Sequence, residues 1–209
     1  MTPTQREGLE RLGGQLLPMQ AGFLDQAKVF GRQAPMVLEI GCGMGDSTVA
    51  QAAAAPDIDV LAIDVHTPGL GNLLAEQDRR GVPNIRAMEA DAVSVVDSMI
   101  VPGSLHGVRI YFPDPWPKPR HRKRRLVQTP FVHVLVSRLT PGGFIHCATD
   151  DLGYGRQMVK VFHVEGQLVN PFDGFAPRPP DRPITKYERR AQRHGRSVVD
   201  IYVTRRLDP

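Results

Sequence analysis

Apolar and polar positions change period repeatedly along this chain, and each change marks an element. Residues 36–40, Met-Val-Leu-Glu-Ile, are apolar but for one acid, as in a strand covered on both faces. A glycine turn at 41–45 leads into an Ala-rich helical stretch over 46–55, with Asp46 or Ser47 placed to cap it. The alternation then recurs: a strand over 60–63, a helix over 70–80, a strand over 84–89, a short helix over 93–100 and a strand over 107–112. Thr129 and Pro130 read as N-cap and first helical residue, and Phe131, Val134, Leu135 and Leu139 carry helical spacing up to a turn at Pro141-Gly142-Gly143. A strand over 144–149, a helix over 154–165, a short strand over 167–170, a proline-rich irregular stretch over 171–183 and an alternating strand over 197–205 complete the chain. Residues 1–35 read as a helical lead-in whose Leu16, Leu17, Phe23, Leu24, Ala27, Val29 and Phe30 cover one face of a core, with Pro18 interrupting.

Strand–helix units joined by short turns predict an α/β fold of the Rossmann-like kind, a seven-stranded, mostly parallel sheet with helices on both faces. Ligands of such sheets bind at the carboxyl ends of the strands. The acids at those ends are Glu39, Asp64, Asp91, Asp114 and the pair Asp150-Asp151. One of them would pass as a helix cap; five in succession predict a shared binding cleft.

Composition narrows the class. A chain of 209 residues, 41% hydrophobic and 23% charged, suits a single soluble domain, here 1–209 with a lead-in over 1–35 and a core over 36–209. No apolar run approaches a membrane span, and the polar start has no signal core, which together predict no membrane association and a cytoplasmic setting. Two cysteines make neither a disulfide framework nor a metal cluster, and the seven histidines show no ligand spacing, so no metal is expected. Net charge is only +4, but the cations concentrate in 118–125 and again in 186–196, which predicts a polyphosphate partner more clearly than the total does.

The chemistry divides at two places. Glu39 precedes Gly41, Gly43 and Gly45, whose spacing, G-x-G-x-G, brings the third glycine one residue earlier than in a dinucleotide fingerprint. An acid there would repel a pyrophosphate and suits a cation, the amino group or sulfonium of S-adenosylmethionine. Asp64 closes the next strand, where a carboxylate can accept ribose hydroxyls, and Asp91 closes the third, on the adenine side. A dehydrogenase-like domain is the competing reading. The second place is Tyr111–Arg125, YFPDPWPKPRHRKRR: a rigid turn with one carboxylate and the chain's only Trp, then a cationic block.

Four motifs occur in order: F-P-D-P-W-P-K at 112–118, R-H-x-K-R-R at 120–125, T-D at 149–150 and T-K-Y-E at 185–188. With the glycine turn, they make the sequence from about 36 onward resemble the bacterial tRNA (guanine-N7-)-methyltransferase family of class I S-adenosylmethionine-dependent methyltransferases. The resemblance implies that Glu39, Asp64 and Asp91 contact S-adenosylmethionine and that Asp114 is the active-site acid. It implies that Lys118, Asp150, Thr185, Lys186, Tyr187 and Glu188 bind the substrate, a guanine in the tRNA variable loop. Arg120, His121, Arg122, Lys123, Arg124 and Arg125 would lie along the tRNA. Asp64 stands where the family has Glu, and Tyr187 where it has Phe. Guanine N7 carries a lone pair and no proton, so Asp114 is expected to orient and to stabilise charge, not to act as a base. Trp116 and Tyr187 are the candidates for stacking on the flipped base. An amino-methyltransferase acting on an exocyclic nitrogen is a weaker reading, because its motif needs two successive prolines and here Trp116 follows Pro115 directly. A catalytically silent tRNA-binding protein is the remaining alternative.

Overall fold

A computed structural model describes residues 1–207. Seven strands form one sheet in the order β3-β2-β1-β4-β5-β7-β6, and the described chain falls into two compact units.

The first unit comprises Met1–Val101 with Asp181–Pro183. It begins with α1 (Pro3–Leu12) and α2 (Gln26–Phe30), followed by β1 (Met36–Ile40), α3 (Asp46–Ala54), β2 (Asp59–Asp64), α4 (Thr67–Arg80), β3 (Ile85–Glu89) and α5 (Ala92–Ser98). β1 pairs with β2 and β2 with β3, both in parallel. All of β1 is buried, which is why it reads as an apolar run and not as an alternation. Val49, Ala52, Leu70 and Leu73 from the helices close over Val60, Ala62, Ile85 and Ala87 from the strands.

The lead-in departs from the helical expectation. Leu17 runs beside β3 as an isolated bridge to Met88, its amide donating to the Ala87 carbonyl at 2.8 Å. Pro18 explains this, since it pushes the residue before it out of the helical region. Leu24 is buried as expected, but Phe23 is 56% exposed. The expected capping of α3 also changes. Gly45, with φ +78°, is the N-cap, and Asp46 is already helical, where its charge still favours the helix N-terminus.

The second unit holds β4 (Leu105–Tyr111), α6 (Thr129–Arg138), β5 (Leu139–Thr149), α7 (Leu152–Val164), β6 (Leu168–Val169), α8 (Lys186–Arg193) and β7 (Val199–Arg205). β4 and β5 are parallel, while β7 is antiparallel to both β5 and β6. Thr129 is the first helical residue of α6, with Gln128 as N-cap and no side-chain cap. Pro141-Gly142-Gly143 do not form a separating turn. β5 already starts at Leu139, and the glycines take up a register shift against β4 between Leu105 and Gly107. Two elements had no counterpart in the sequence reading: α8, and a 3-10 helix over Pro119–Arg124.

In the first unit, α1 crosses α4 at bare backbone. A Cβ on Gly8 would run into the Gly71 carbonyl. Gly8→Ala should therefore destabilise the protein by about 1–3 kcal/mol, despite the gain of about 1 kcal/mol in helix propensity. Urea unfolding should show a lower midpoint at unchanged slope, while Gly14→Ala, where a Cβ meets nothing within 4 Å, should leave the midpoint in place.

Candidate functional site

In the first unit, parallel pairing brings the ends of β1, β2 and β3 to one edge, with Ile40 opposite Ile63 and Asp64 opposite Glu89. Glu39 is only 3% exposed, and one of its oxygens accepts a hydrogen bond from Thr48 Oγ1 at 2.9 Å. Asp64 accepts from the backbone N–H of Gly43 at 2.7 Å and of His66 at 2.9 Å, so it ties the glycine loop to the end of β2. Asp91 is the N-cap of α5 and accepts from the Ser94 amide at 2.9 Å through Oδ1. These bonds leave lone pairs on Asp64 and Asp91, since an ionised carboxylate offers about four acceptor sites.

The three glycines do different jobs. Gly41 and Gly43 have φ +77° and +59°, and a Cβ on either would meet nothing within 4 Å. Both are open on the side where a side chain would stand. A Cβ on Gly45 would instead fall 2.5 Å from that of Leu73, so this glycine serves packing of α3 on α4. A buried acid at the strand end beside an open, left-handed glycine loop fits the cationic end of S-adenosylmethionine and does not fit a pyrophosphate. Cys42, within the loop, is buried, and burial first, then Asp64 and Glu39, hold its thiol well above the usual range, which disfavours the thiolate.

In the second unit, β4 and β5 send the Asp114 turn and Asp150 out at one edge, with Tyr111 opposite Ala148. The turn is unusual. Phe112 and Trp116, on either side of Pro113-Asp114-Pro115, adopt φ of +53° and +41°, left-handed values that non-glycine residues rarely hold. The Phe112 amide donates to the Ala148 carbonyl at 2.7 Å, and the Phe112 ring stacks on Tyr187 at 5.9 Å. Beneath lies a buried polar row that the sequence did not reveal. Tyr111 Oη meets His146 Nδ1 at 2.9 Å, and His146 Nε2 meets Asp200 Oδ1 at 2.7 Å. It links β4, β5 and β7. Asp114 itself is exposed and makes no hydrogen bond or ion pair among the described residues.

The acids expected to read the substrate are already engaged. Asp150 pairs with Arg196 Nη1 at 2.9 Å, a half-exposed contact of small net worth. Glu188, 3% exposed, accepts from Arg178 Nε at 3.0 Å. Its side chain is therefore not displayed at the surface as an edge reader would be. Thr185 is the N-cap of α8, its hydroxyl accepting from the Glu188 amide at 3.1 Å. T-x-x-E is a capping-box pattern, so the start of α8 is signalled in the sequence itself. Lys186 and Tyr187, in the first turn of α8, are exposed, with the Lys186 ammonium 5.1 Å from the Tyr187 ring centre.

The cationic block divides. Lys118, Arg120, Arg122, Lys123 and Arg124 are exposed. Arg124 lies 4.8 Å over the Trp116 ring and His121 meets that ring edge-on at 5.9 Å, so Trp116 packs with the block and is not a free platform. Arg125, expected along the RNA, is buried instead.

Sheet order, glycine loop and strand-end acids define a Rossmann-like methyltransferase. Solved structures share the fold: a 16S rRNA methyltransferase, KamB, with TM-score 0.64 and 13% identity over 92% of this chain and 99% of that one, and a 16S rRNA (adenine(1408)-N(1))-methyltransferase from Catenulisporales acidiphilia with TM-score 0.57 and 16% identity over 88% and 90%. Residues 33–201 match the family described as "Putative methyltransferase". The chain is 49% identical to a tRNA (guanine-N(7)-)-methyltransferase of Paraburkholderia xenovorans over 97% of its own length and 78% of that relative. It is 48% identical to one of Thiobacillus denitrificans over 97% and 89%. The chain belongs to the tRNA (guanine-N(7)-)-methyltransferase family.

Removing the cap of α8 isolates its contribution. Thr185→Ala should cost about 1 kcal/mol of local stability, read as faster amide hydrogen exchange over 186–193.

Proposed function

We propose that this protein transfers the methyl group of S-adenosylmethionine to N7 of a guanine in the variable loop of tRNA, forming 7-methylguanosine. The observation that carries this reading is 49% identity over 97% of the chain with a relative named for that reaction. Among the described residues no helix is long and apolar enough to cross a membrane, and no group of side chains is arranged to hold a metal ion. A cytoplasmic setting goes with this reading of a tRNA substrate. We read the chain as one methyltransferase domain, with the lead-in packed on the first unit at the close α1–α4 crossing.

S-adenosylmethionine supplies a methyl group on a positively charged sulfur. In this reading Glu39 faces the cationic end of the donor, Gly41 and Gly43 let it approach the backbone, and Asp64 and Asp91 hold its ribose and adenine with the lone pairs their loop and cap bonds leave over. Gly45 contributes by packing.

Guanine N7 carries no proton, so no group has to remove one. What remains for the protein is orientation and stabilisation of the positive charge that arrives on the purine. Asp114 is suited to both. It is exposed and unpartnered, it can accept from guanine N1–H and the 2-amino group, and its field favours a cationic ring. Asp150 is a second acceptor once Arg196 turns to a phosphate. Glu188 supports this indirectly, by holding α8 and thus Lys186 and Tyr187. Tyr187, 44% exposed, is better placed than Trp116 to stack on a flipped base, a contact worth about 1–3 kcal/mol. Lys118, Arg120, His121, Arg122, Lys123 and Arg124 meet the phosphates.

Labelled methyl transfer to unmodified tRNA, followed by nucleoside mapping, should yield 7-methylguanosine; N6-methyladenosine would overturn the reading. Asp114→Ala should abolish transfer while tRNA binding stays within about threefold, because orientation and field, not affinity, are lost. Replacing Arg122, Lys123 and Arg124 together by Ala should weaken tRNA binding and lower the salt slope by about two to three, as expected for lost phosphate contacts. A filter-binding series in salt reads this directly, and an unchanged slope would mean that the block is only a solvated face.

A further inference from the structure

Arg125 ends the basic run in sequence but does not share its surface. It is 5% exposed. Its Nε donates to the Pro115 carbonyl at 2.7 Å, its Nη1 donates to Gln157 Oε1, and its guanidinium carbon lies 4.6 Å from the centre of the Tyr154 ring. Its amide donates to the Arg122 carbonyl at 3.1 Å, closing the 3-10 helix. Two residues on, the Val127 amide donates to Tyr154 Oη at 3.0 Å, and Gln157 Nε2 returns a bond to the Val127 carbonyl at 3.3 Å. One guanidinium thus ties together the end of the basic helix, the Asp114 turn and α7.

Among the described residues no carboxylate pairs with this buried cation. Burying a charge without a counter-ion is costly, and a carbonyl, an amide oxygen and an aromatic face offset the cost only in part. A phosphate contact would need Arg125 outside; a mere plug would need no charge. What the charge does accomplish is directional. A planar fork can bond the Pro115 carbonyl and Gln157 together, and Pro115 follows Asp114 directly. α7, the other end of the tether, is capped by Asp151, whose Oδ1 accepts from the Tyr154 amide at 2.7 Å, and Asp150 stands just before it.

We propose that Arg125 is a positioning residue: it fixes the carboxylate of Asp114 relative to Asp150 by tethering the turn to α7, and it takes no part in holding tRNA. The proposal rests on the reading of Asp114 as the orienting carboxylate. Arg124 and Arg125, neighbours in sequence, then serve different ends, one facing the RNA and the other the acid turn.

The test uses Arg125→Lys, which keeps the charge but cannot form both bonds with a fork, and Gln157→Leu, which removes one partner. Arg125→Lys should lower kcat by about 10–100-fold, the scale expected when a reacting group is misplaced by about 1 Å, with tRNA KM and salt slope within about twofold. Gln157→Leu should lower kcat in the same direction by less, and it decides the matter should Arg125→Lys fail to fold. Trp116, the only Trp and the neighbour of Pro115, gives a readout without catalysis: acrylamide quenching of the tRNA-free protein should increase in both variants. Unchanged kcat in both variants would overturn the proposal. So would a lower salt slope with retained kcat, which would make Arg125 a phosphate contact. Full turnover by Asp114→Ala would instead overturn the role of Asp114, while the tether itself is still read by Trp116 quenching.

Discussion

Because all of β1 and nearly all of β2 are buried, a charged side chain can stand there only at or near a strand's end, where it can be solvated or bonded. This burial constraint sorts the polar residues of the protein. It places Glu39 beside the glycine loop, Asp64 at the end of β2 and Asp150 directly after β5. Parallel pairing then sends the ends of neighbouring strands to one edge within each unit, so the chemistry follows from packing before any residue is selected for its role.

The same acids also support their own surroundings. Asp64 holds Gly43, Asp91 and Asp151 cap helices, and Asp150 and Glu188 have arginine partners. Using a carboxylate for both structure and recognition is economical, since it offers several acceptor sites and a cap bond leaves most of them available. Asp114 is the exception. It has no partner among the described residues and stands on a turn whose flanking residues are both left-handed. Such backbone persists only where the surroundings over-determine it. Here the surroundings are the Phe112 amide on Ala148, the Tyr111–His146–Asp200 row beneath and the Arg125 guanidinium on Pro115. The bonds that are absent from the acid itself are concentrated on the backbone that carries it.

Much of this was legible in the residues. Runs of mostly apolar character located β1, β2 and the end of β4, and glycine, acid and proline punctuation located the turns. The signals that misled were those in which a residue type has two uses. Pro141-Gly142-Gly143 read as a turn but accommodate a register shift inside β5. Leu17 reads as helical but lies beside β3, because an apolar residue without periodicity around it suits either state. T-x-x-E, expected to contact the substrate, also caps α8 through the Thr185 hydroxyl.

The sequence by itself determined the sheet, the edge at which acids collect and the cationic character of the block beside Asp114, since these depend on local pattern and on burial that every strand must satisfy. Only the tertiary structure decided how residues close in sequence divide their work. Gly45 packs where Gly41 and Gly43 stay open, Glu188 is buried where Tyr187 is displayed, and Arg125 turns inward where Arg124 faces out. The reason is that the fate of each side chain is set by its neighbours, and those neighbours, Leu73, Arg178, Pro115 and Gln157, come from parts of the chain that local pattern does not connect.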